Sequence, residues 1–462
     1  MSIAAASDST TSVFDIAVIG GGVVGCAVAR LLTLAGHRVA IVEARNDIGA
    51  GTSKANTAIL HTGFDATPGS TEARLVARGY ELLREWAPRT GISIEHTGAV
   101  LVAWDDEQAA ALPSLQAKAV ANGYHHATVV DAATVRELEP HLGTGVTGGM
   151  MVPGEHLIDP WSTPIGFATE AVANGCRILL NRHVTKLEVG TEVTTMTMAD
   201  QSTVRARFVV NAAGLHGDTV HRLFGLDGFT IRPRRGELIV FDKLARPLLN
   251  GTVLPVPTSH TKGVLVAPTV FGNIMLGPTA DDIEDRAATG STRTGIDGLI
   301  DMGRRILPDL LHEEVTAVYA GLRAATEHSD YQLASHQELR YVCLGGIRST
   351  GLTASMALAE EALVLLIGCG LPASAPTIDA TPVKIRLTPL GEVDERPYQR
   401  GGRIVCHCER VTADEITDAL AAPVPAADFD GLRRRTRTLA GRCQGFYCFA
   451  EVCALTTWKA QP

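Results

Sequence analysis

Four cysteines toward the C-terminus stand in two close pairs, Cys406-His407-Cys408 and Cys443 with Cys448, with 34 residues between the pairs. Thiolates are soft metal ligands, and pairs held on two loops bring four of them within bonding reach with little loop entropy to overcome. The pattern reads as a [2Fe-2S] cluster. Four-thiolate zinc competes with it, although C-x-C is less usual for zinc than C-x2-C, and free thiols are the third alternative. His407 reads as a loop residue between two ligands. Cys26, Cys176, Cys343, Cys369 and Cys453 lack paired spacing and read as packing residues.

A second chemistry sits at the other end. The run VFDIAVI, Val13 to Ile19, leads into Gly20-Gly21-Gly22-Val23-Val24-Gly25, then a stretch of helical composition closing at Gly36, then RVAIVE ending at Glu43. Strand, glycine turn, helix, strand and acid is the arrangement that binds a dinucleotide. Gly20, Gly22 and Gly25 let backbone approach a pyrophosphate at a helix N-terminus, and Glu43, 18 positions beyond Gly25, accepts from a ribose hydroxyl. An acid at this position favours an unphosphorylated ribose, hence FAD or NAD.

Three later segments favour FAD. The Gly-, Ser- and Thr-rich stretch after Glu43 suits an extended run along a long cofactor. Asn211-Ala212-Ala213-Gly214 follows a strand, which marks Ala213 and Gly214. Gly346-Ile347-Arg348-Ser349-Thr350-Gly351-Leu352-Thr353 precedes a long apolar helix. A second helix N-terminus behind a glycine loop can face the edge of a flavin on which reduction builds negative charge, marking Gly346, Ser349, Gly351, Leu352 and Thr353.

Hydride transfer from an alcohol to a flavin needs a base for the hydroxyl proton, a cation for an anionic substrate group, and exclusion of water. His61 in ILHTG, flanked by small residues, is the candidate base, flavin contact or attachment point. Arg323 in AGLRAAT and Arg348 in GIRST are forked cations suited to carboxylate or phosphate, with structural ion pairing the alternative. Arg235, His260 and Lys262 are weaker candidates, and Asp159-Pro160 reads as a turn. Arg433, Arg434, Arg435 and Arg437 read as a solvated face; the alternative is that they raise the cluster potential or steer an acidic partner.

The elements that must position these groups follow from composition and pattern. A chain of 462 residues, 45% hydrophobic, with 46 glycines, is long enough for two or three domains with α/β character. Its formal charge of −9 argues against general nucleic-acid binding. No apolar run is expected to span a bilayer and no secretory layout precedes Val13, so a cytoplasmic location is expected, with contact at the inner membrane face open. GAVLVAWDDEQ, RPRRGELIVFDK and GVLVAPTVFGNIMLGPTA have the alternating character of strands in a substrate sheet.

Gly20 to Gly25, Glu43, NTAILHTG, NAAG, AGLRAAT and GGIRSTGLTAS resemble the FAD-dependent oxidoreductases that include glycerol-3-phosphate dehydrogenases and L-2-hydroxyglutarate oxidases. The tail, from IVCHCERVTADEI through LRRRTRTLAGRCQGFYC, is similar to the bacterioferritin-associated-ferredoxin-like domain ending the large subunit of anaerobic glycerol-3-phosphate dehydrogenase. One position departs: Ala58 stands where glycine is usual. The resemblance implies an α/β fold, a Rossmann-type FAD-binding domain interwoven with a mixed-sheet substrate domain, plus a small C-terminal [2Fe-2S] domain. The expected boundaries are an irregular start at 1–12, the oxidoreductase at 13–390, a linker at 391–402 and the cluster domain at 403–462. Within the oxidoreductase, 13–95, 156–228 and 320–375 form the FAD part, and 96–155 and 229–319 the substrate part. It further implies that His61 lies near the isoalloxazine, Arg323 and Arg348 converge on the cofactor, and Cys406, Cys408, Cys443 and Cys448 hold the cluster. The expected activity is oxidation of a small anionic secondary alcohol, glycerol 3-phosphate first and a 2-hydroxy acid such as L-2-hydroxyglutarate second, with electrons leaving through the cluster to a partner protein, a further subunit or quinone. An amine-oxidising flavoenzyme and a non-catalytic redox subunit are the alternatives.

Overall fold

The computed structural model describes residues 13–257, 263–373, 402–456 and 458. The expected irregular start, nearly all of the expected linker, and His260 and Lys262 lie outside the described residues.

The apolar run Val13–Ile19 forms the central strand of an eight-stranded sheet. It pairs in parallel with Val39–Val42 on one side and Thr203–Asn211 on the other, in a register that sets Ile19 opposite both Val42 and Asn211. Three strand ends therefore finish at one level, and the loops that leave them, carrying Gly20, Glu43 and Ala212, meet at the carboxyl edge. That edge is where an open α/β sheet binds its ligand. The far half of Thr203–Asn211 pairs with Tyr341–Gly345, which delivers Gly346 to the same edge.

Helices Val23–Leu34 and Gly351–Gly368 pack together over the sheet, and Thr71–Thr90 crosses the second of them. A β-carbon at Gly79 would lie 2.2 Å from the Thr353 carbonyl oxygen, so the crossing is as close as backbone allows. Gly351–Gly368 is long and apolar enough to cross a membrane by length and composition, contrary to the expectation that no run would be. In this fold Glu360 and Glu361, at its middle, pair with Arg78 and Arg74 of the crossing helix.

A nine-stranded sheet lies beyond, dominated by the antiparallel ribbon of Ile231–Phe241 with Val315–Thr326, in which Arg234 faces Arg323. A third, three-stranded sheet joins Ile59–Leu60, His156–Ile158 and Ile94–Glu95. The sequence ranges of the FAD part hold every strand of the first sheet, and those of the substrate part hold most of the second.

The tail packs its own small core of Val405, Val411, Ile416, Leu432, Leu439 and Val452 around buried Cys406 and Cys448. Helix Ala413–Ala421 starts at a capping box made by Thr412 and Glu415, and Phe429–Thr436 is capped by Asp428.

Candidate active site

A cavity of about 660 Å³ opens at the carboxyl edge of the first sheet and is walled on its far side by the second. Of the residues singled out in the sequence, Gly22, His61, Gly214, Arg323, Gly346, Arg348, Ser349, Gly351 and Leu352 line it. Gly20, Gly25, Glu43, Ala213 and Thr353 stand behind its wall.

The glycine loop is obligatory. A β-carbon at Gly25 would lie 1.9 Å from the Gly20 carbonyl oxygen, and one at Gly20, whose φ is +111°, would lie 2.4 Å from the Ala212 carbonyl oxygen. Above the loop, by contrast, the nearest atom to a β-carbon at Gly22 would be Ser53 Oγ at 3.3 Å, so backbone there faces open cavity. Helices Val23–Leu34 and Gly351–Gly368 both begin at this cavity without a side-chain cap. Apart from the Val23 N–H, which Ser53 takes, the N–H groups at these two helix starts suit the two anionic regions of a flavin dinucleotide, its pyrophosphate and its reducible pyrimidine edge. Glu43 stands over the loop, with Oε2 accepting from Gly21 N–H at 2.6 Å and Oε1 from Arg45 N–H at 2.7 Å. The donor set and the space thus fit FAD. Ser53, which accepts from Val23 N–H at 2.9 Å, is a wall residue that the sequence did not single out.

His61 owes its orientation to a residue missed in the sequence. Because Leu60 pairs with His156 in the three-stranded sheet, the residues just outside that pair, His61 and Glu155, are brought side by side. Glu155 is 1% exposed. Its Oε1 accepts from the backbone N–H and the hydroxyl of Thr62, at 2.6 and 2.8 Å, and its Oε2 lies 3.0 Å from His61 Nδ1. A carboxylate held this way accepts the hydrogen bond from Nδ1–H and leaves Nε2 as the unprotonated, basic nitrogen. Thr353 Oγ1 accepts from His61 N–H at 3.0 Å, tying the histidine to the helix whose N-terminus faces the cavity. Just upstream, Ala58, which the sequence marked as a departure from glycine, has φ +59°. It sits in the left-handed region that glycine enters without strain.

The two candidate arginines differ. Arg348 lies 3.7 Å from Glu72 and donates to the Ser329 carbonyl, so it is engaged in structure at the cavity rim. Arg323 has only a long contact to the Thr279 carbonyl, 3.4 Å, and no carboxylate partner among the described residues. Burial, then the neighbouring Arg234, lowers its pKa, yet a guanidinium stays charged at any physiological pH. Arg234 is neutralised by a bidentate pair with Asp282 at 2.6 and 2.9 Å. Arg235 pairs loosely with Asp281 and Glu237. A half-buried cation facing a cavity without a counter-ion is suited to an anionic ligand. Asp159 has no part in the cavity; buried, it caps the helix from Ser162 through the Ser162 hydroxyl and backbone.

In the tail, the Cys408 and Cys443 thiols are in hydrogen-bond contact, as are those of Cys406 and Cys448. Among the described residues no three Cys, His, Asp or Glu side chains are gathered to hold a metal ion. Each pair also feels the other, Cys408 feeling Cys406 and Cys448 feeling Cys443, so the four thiols are neighbours, as a [2Fe-2S] cluster requires. Desolvation opposes it, but the N–H of Tyr447, the Cys408 thiol and the N–H groups of Gly445 and Phe446 hold the Cys443 thiol below its usual range. Leu439, at φ +70°, turns its N–H onto Cys448. Backbone donors aimed at sulfur tune and hold an iron–sulfur cluster. Phe446 and Tyr447, on the loop between the second pair of cysteines, are 82% and 76% exposed.

The arginines before that loop are not a solvated face. Arg434 and Arg437 are 2% and 1% exposed, and the Arg435 side chain is nearly as buried. Arg434 and Arg435 both grip Asp47, itself 1% exposed, on the loop that leaves Glu43. Arg437 donates to Glu409 Oε2 at 2.9 Å, and Lys243 reaches Glu409 Oε1 at 2.7 Å. Asn46 with Asp428, Lys54 with Asp430, and Arg442 with Glu314 extend the seam. Buried guanidinium groups require such partners: Asp47, on the body before the tail, serves Arg434 and Arg435, while Glu409, within the tail, serves Arg437 and is reached from that body by Lys243.

The family model described as "FAD dependent oxidoreductase" matches residues 15–363, and that described as "BFD-like [2Fe-2S] binding domain" matches residues 404–455. A glycerol 3-phosphate dehydrogenase from Caloramator mitchellensis is 32% identical over 450 residues, covering 95% of this chain and 93% of that protein. A glycerol 3-phosphate oxidase from Mycoplasma pneumoniae is 30% identical over 361 residues, covering 76% of this chain and 94% of its own length. Among solved structures, dithionite-reduced L-alpha-glycerophosphate oxidase from Mycoplasma pneumoniae with FAD bound superposes with a TM-score of 0.75 at 29% identity, covering 79% of this chain and 97% of that one.

Proposed function

We propose that this chain, which belongs to the FAD-dependent oxidoreductase family and ends in a BFD-like [2Fe-2S] binding domain, oxidises glycerol 3-phosphate at its secondary alcohol. The observation that carries the reading is one cavity holding both a carboxylate-oriented imidazole, His61 on Glu155, and an unneutralised cation, Arg323. Two relatives named for glycerol 3-phosphate, matching 95% and 76% of the chain, support the choice of substrate.

Bound FAD supplies the hydride acceptor. The chain's residues do the rest. Arg323 binds the phosphate with its two-pronged guanidinium, a geometry that suits tetrahedral oxyanions. His61 Nε2 takes the hydroxyl proton as hydride leaves the carbinol carbon, and Glu155 steadies the imidazolium that forms. The product is dihydroxyacetone phosphate. Gly22, Gly214, Gly346 and Gly351 keep the cavity wall free of side chains where the cofactor lies, and the second sheet closes the far side against water. Cys406, Cys408, Cys443 and Cys448 would hold the [2Fe-2S] cluster, which would supply a one-electron outlet toward a partner protein or quinone, a reading that the match of the tail to a [2Fe-2S] binding domain supports.

The test is turnover of the holoenzyme with a dye acceptor, offering glycerol 3-phosphate, L-2-hydroxyglutarate and glycine in parallel. Preferential turnover of glycerol 3-phosphate, abolished in Arg323→Met with flavin retained, is the expected result. Turnover of the hydroxy acid or the amine alone overturns the substrate.

A further inference from the structure

The seam that docks the tail contains a continuous chain of contacts from the cavity wall to the cluster loop. Thr52, Ser53, Ala55 and Asn56 line the cavity. Between them, the Lys54 carbonyl accepts from Trp161 Nε1 at 3.1 Å. The Trp161 ring lies 5.2 Å from that of Phe271, centroid to centroid, and the Arg437 guanidinium lies over the Phe271 ring, 5.0 Å from its centroid. Arg437 then binds Glu409, the residue after the ligand Cys408, while Leu439, two residues on, contacts Cys448. Trp161 comes from the start of a helix of the FAD part, Phe271 from a turn of the substrate sheet and Arg437 from the tail. Three separate segments thus meet at one stack.

The stack does more than the seam requires. Docking is already secured by Asp47 with Arg434 and Arg435, by Lys54 with Asp430 and by Lys243 with Glu409, whereas a half-buried tryptophan and phenylalanine in series, ended by a guanidinium at 1% exposure, add polarisable groups. Dense packing along such a line removes the gaps through which electronic coupling decays.

We propose that Trp161, Phe271 and Arg437 form the contact path by which electrons pass between the flavin cavity and the cluster; the inference rests on the cofactor roles given above. Each transfer moves one electron. In each, the reduced flavin loses one electron and one ferric iron of the cluster becomes ferrous; over the two transfers that reoxidise the flavin, the proton that arrived with the hydride is released to solvent. A flavin reduced by hydride therefore makes two such transfers, a one-electron acceptor such as a redox protein reoxidising the cluster between them. Trp161 and Phe271 are positioning residues in this account, since neither touches the substrate.

The experiment injects electrons without substrate. The anaerobic holoenzyme is flash-reduced with a deazaflavin and a sacrificial amine donor, and redistribution between flavin and cluster is followed by absorbance, with electron paramagnetic resonance recording the cluster. In Phe271→Leu and Trp161→Leu the redistribution slows several-fold while FAD content, iron content, the resonance spectrum and the midpoint potentials stay as in the parent protein; Phe271→Tyr, which keeps the ring, redistributes at the parent rate. Parent-rate redistribution in both leucine variants overturns the path. If Phe271→Leu loses iron, Trp161→Leu, outside the tail's core, decides alone. Failure of glycerol 3-phosphate to bleach the flavin would overturn the substrate assignment and leave this measurement standing, so the two failures are distinct.

Discussion

Replacing Asp47 by asparagine removes the charge on which the tail's docking turns. Asp47 Oδ1 takes Arg435 Nη2 at 2.7 Å, and Oδ2 takes Arg435 Nη1 at 2.8 Å together with Arg434 Nη2. The asparagine keeps the shape and one acceptor, but it leaves two guanidinium groups, at 3% and 5% side-chain exposure, short of an anion. Breaking a buried pair by removing one partner costs about 3–5 kcal/mol. Arg434 retains Asp430, which places the expected loss toward the lower bound. At about 1.4 kcal/mol per tenfold, a loss of roughly 3 kcal/mol raises the population of the undocked tail by about a hundredfold. Amide hydrogen exchange reads this locally: protection should fall across 404–455 and across the loop 44–54, while the strand Val13–Ile19 keeps its protection. Raising ionic strength in the parent protein should do far less, because a pair shielded from water is weakly screened. A change in tail protection worth under about 1 kcal/mol, the range of an exposed pair, would refute the assignment of Asp47 as the anchor.

Further outcomes follow from the same geometry. Gly25→Ala places a β-carbon 1.9 Å from a backbone oxygen, so the purified variant should lack FAD, which its absorbance spectrum reports; a yellow, fully loaded variant would contradict the loop's role. His61→Ala should lower kcat by about 10²–10⁴, the contribution of a general base. Glu155→Gln should lose less than that at unchanged flavin content, and equal activity in Glu155→Gln and parent would remove Glu155 from the account. Asp218 is desolvated, which raises its pKa, yet bonds from Arg286 at 2.7 Å and from Ile231 N–H win and bring it down to about 2. A depressed folded-state pKa gives stability that is present above the ordinary carboxylate range and lost as pH falls through about 4 toward 2, here about 2 kcal/mol. Asp218→Asn should therefore destabilise the protein at neutral pH and flatten its acid unfolding; acid sensitivity identical to the parent's would contradict this.

The nucleotide site was legible because its constraints are local. Gly20 and Gly25 are required by contacts within one βαβ unit, and Glu43 follows from the same unit's spacing. The [2Fe-2S] domain was legible for a like reason, each cysteine pair being close in sequence. Glu155 was not, since its place beside His61 arises from a strand register that joins residues 94 apart, and a buried glutamate in GEH carries no spacing signal of its own. The arginines misled for the opposite reason. Charges clustered on a short helix look solvated when the sequence is read locally, and their counter-ion, Asp47, lies 387 positions from Arg434. Ala58 shows an intermediate case: the sequence marked the residue as unusual, and the left-handed φ of +59° explains why glycine would be the easier choice.

The most direct test of the central claim is an anaerobic titration of the oxidised holoenzyme with glycerol 3-phosphate, followed by absorbance and by the resonance of the reduced cluster. A hydride carries two electrons, while a flavin and a one-electron cluster together take three, so full bleaching should need roughly 1.5 equivalents, with the cluster signal growing during the titration. Bleaching complete at about one equivalent with a silent cluster would contradict the electronic link, and no bleaching at all would contradict the substrate.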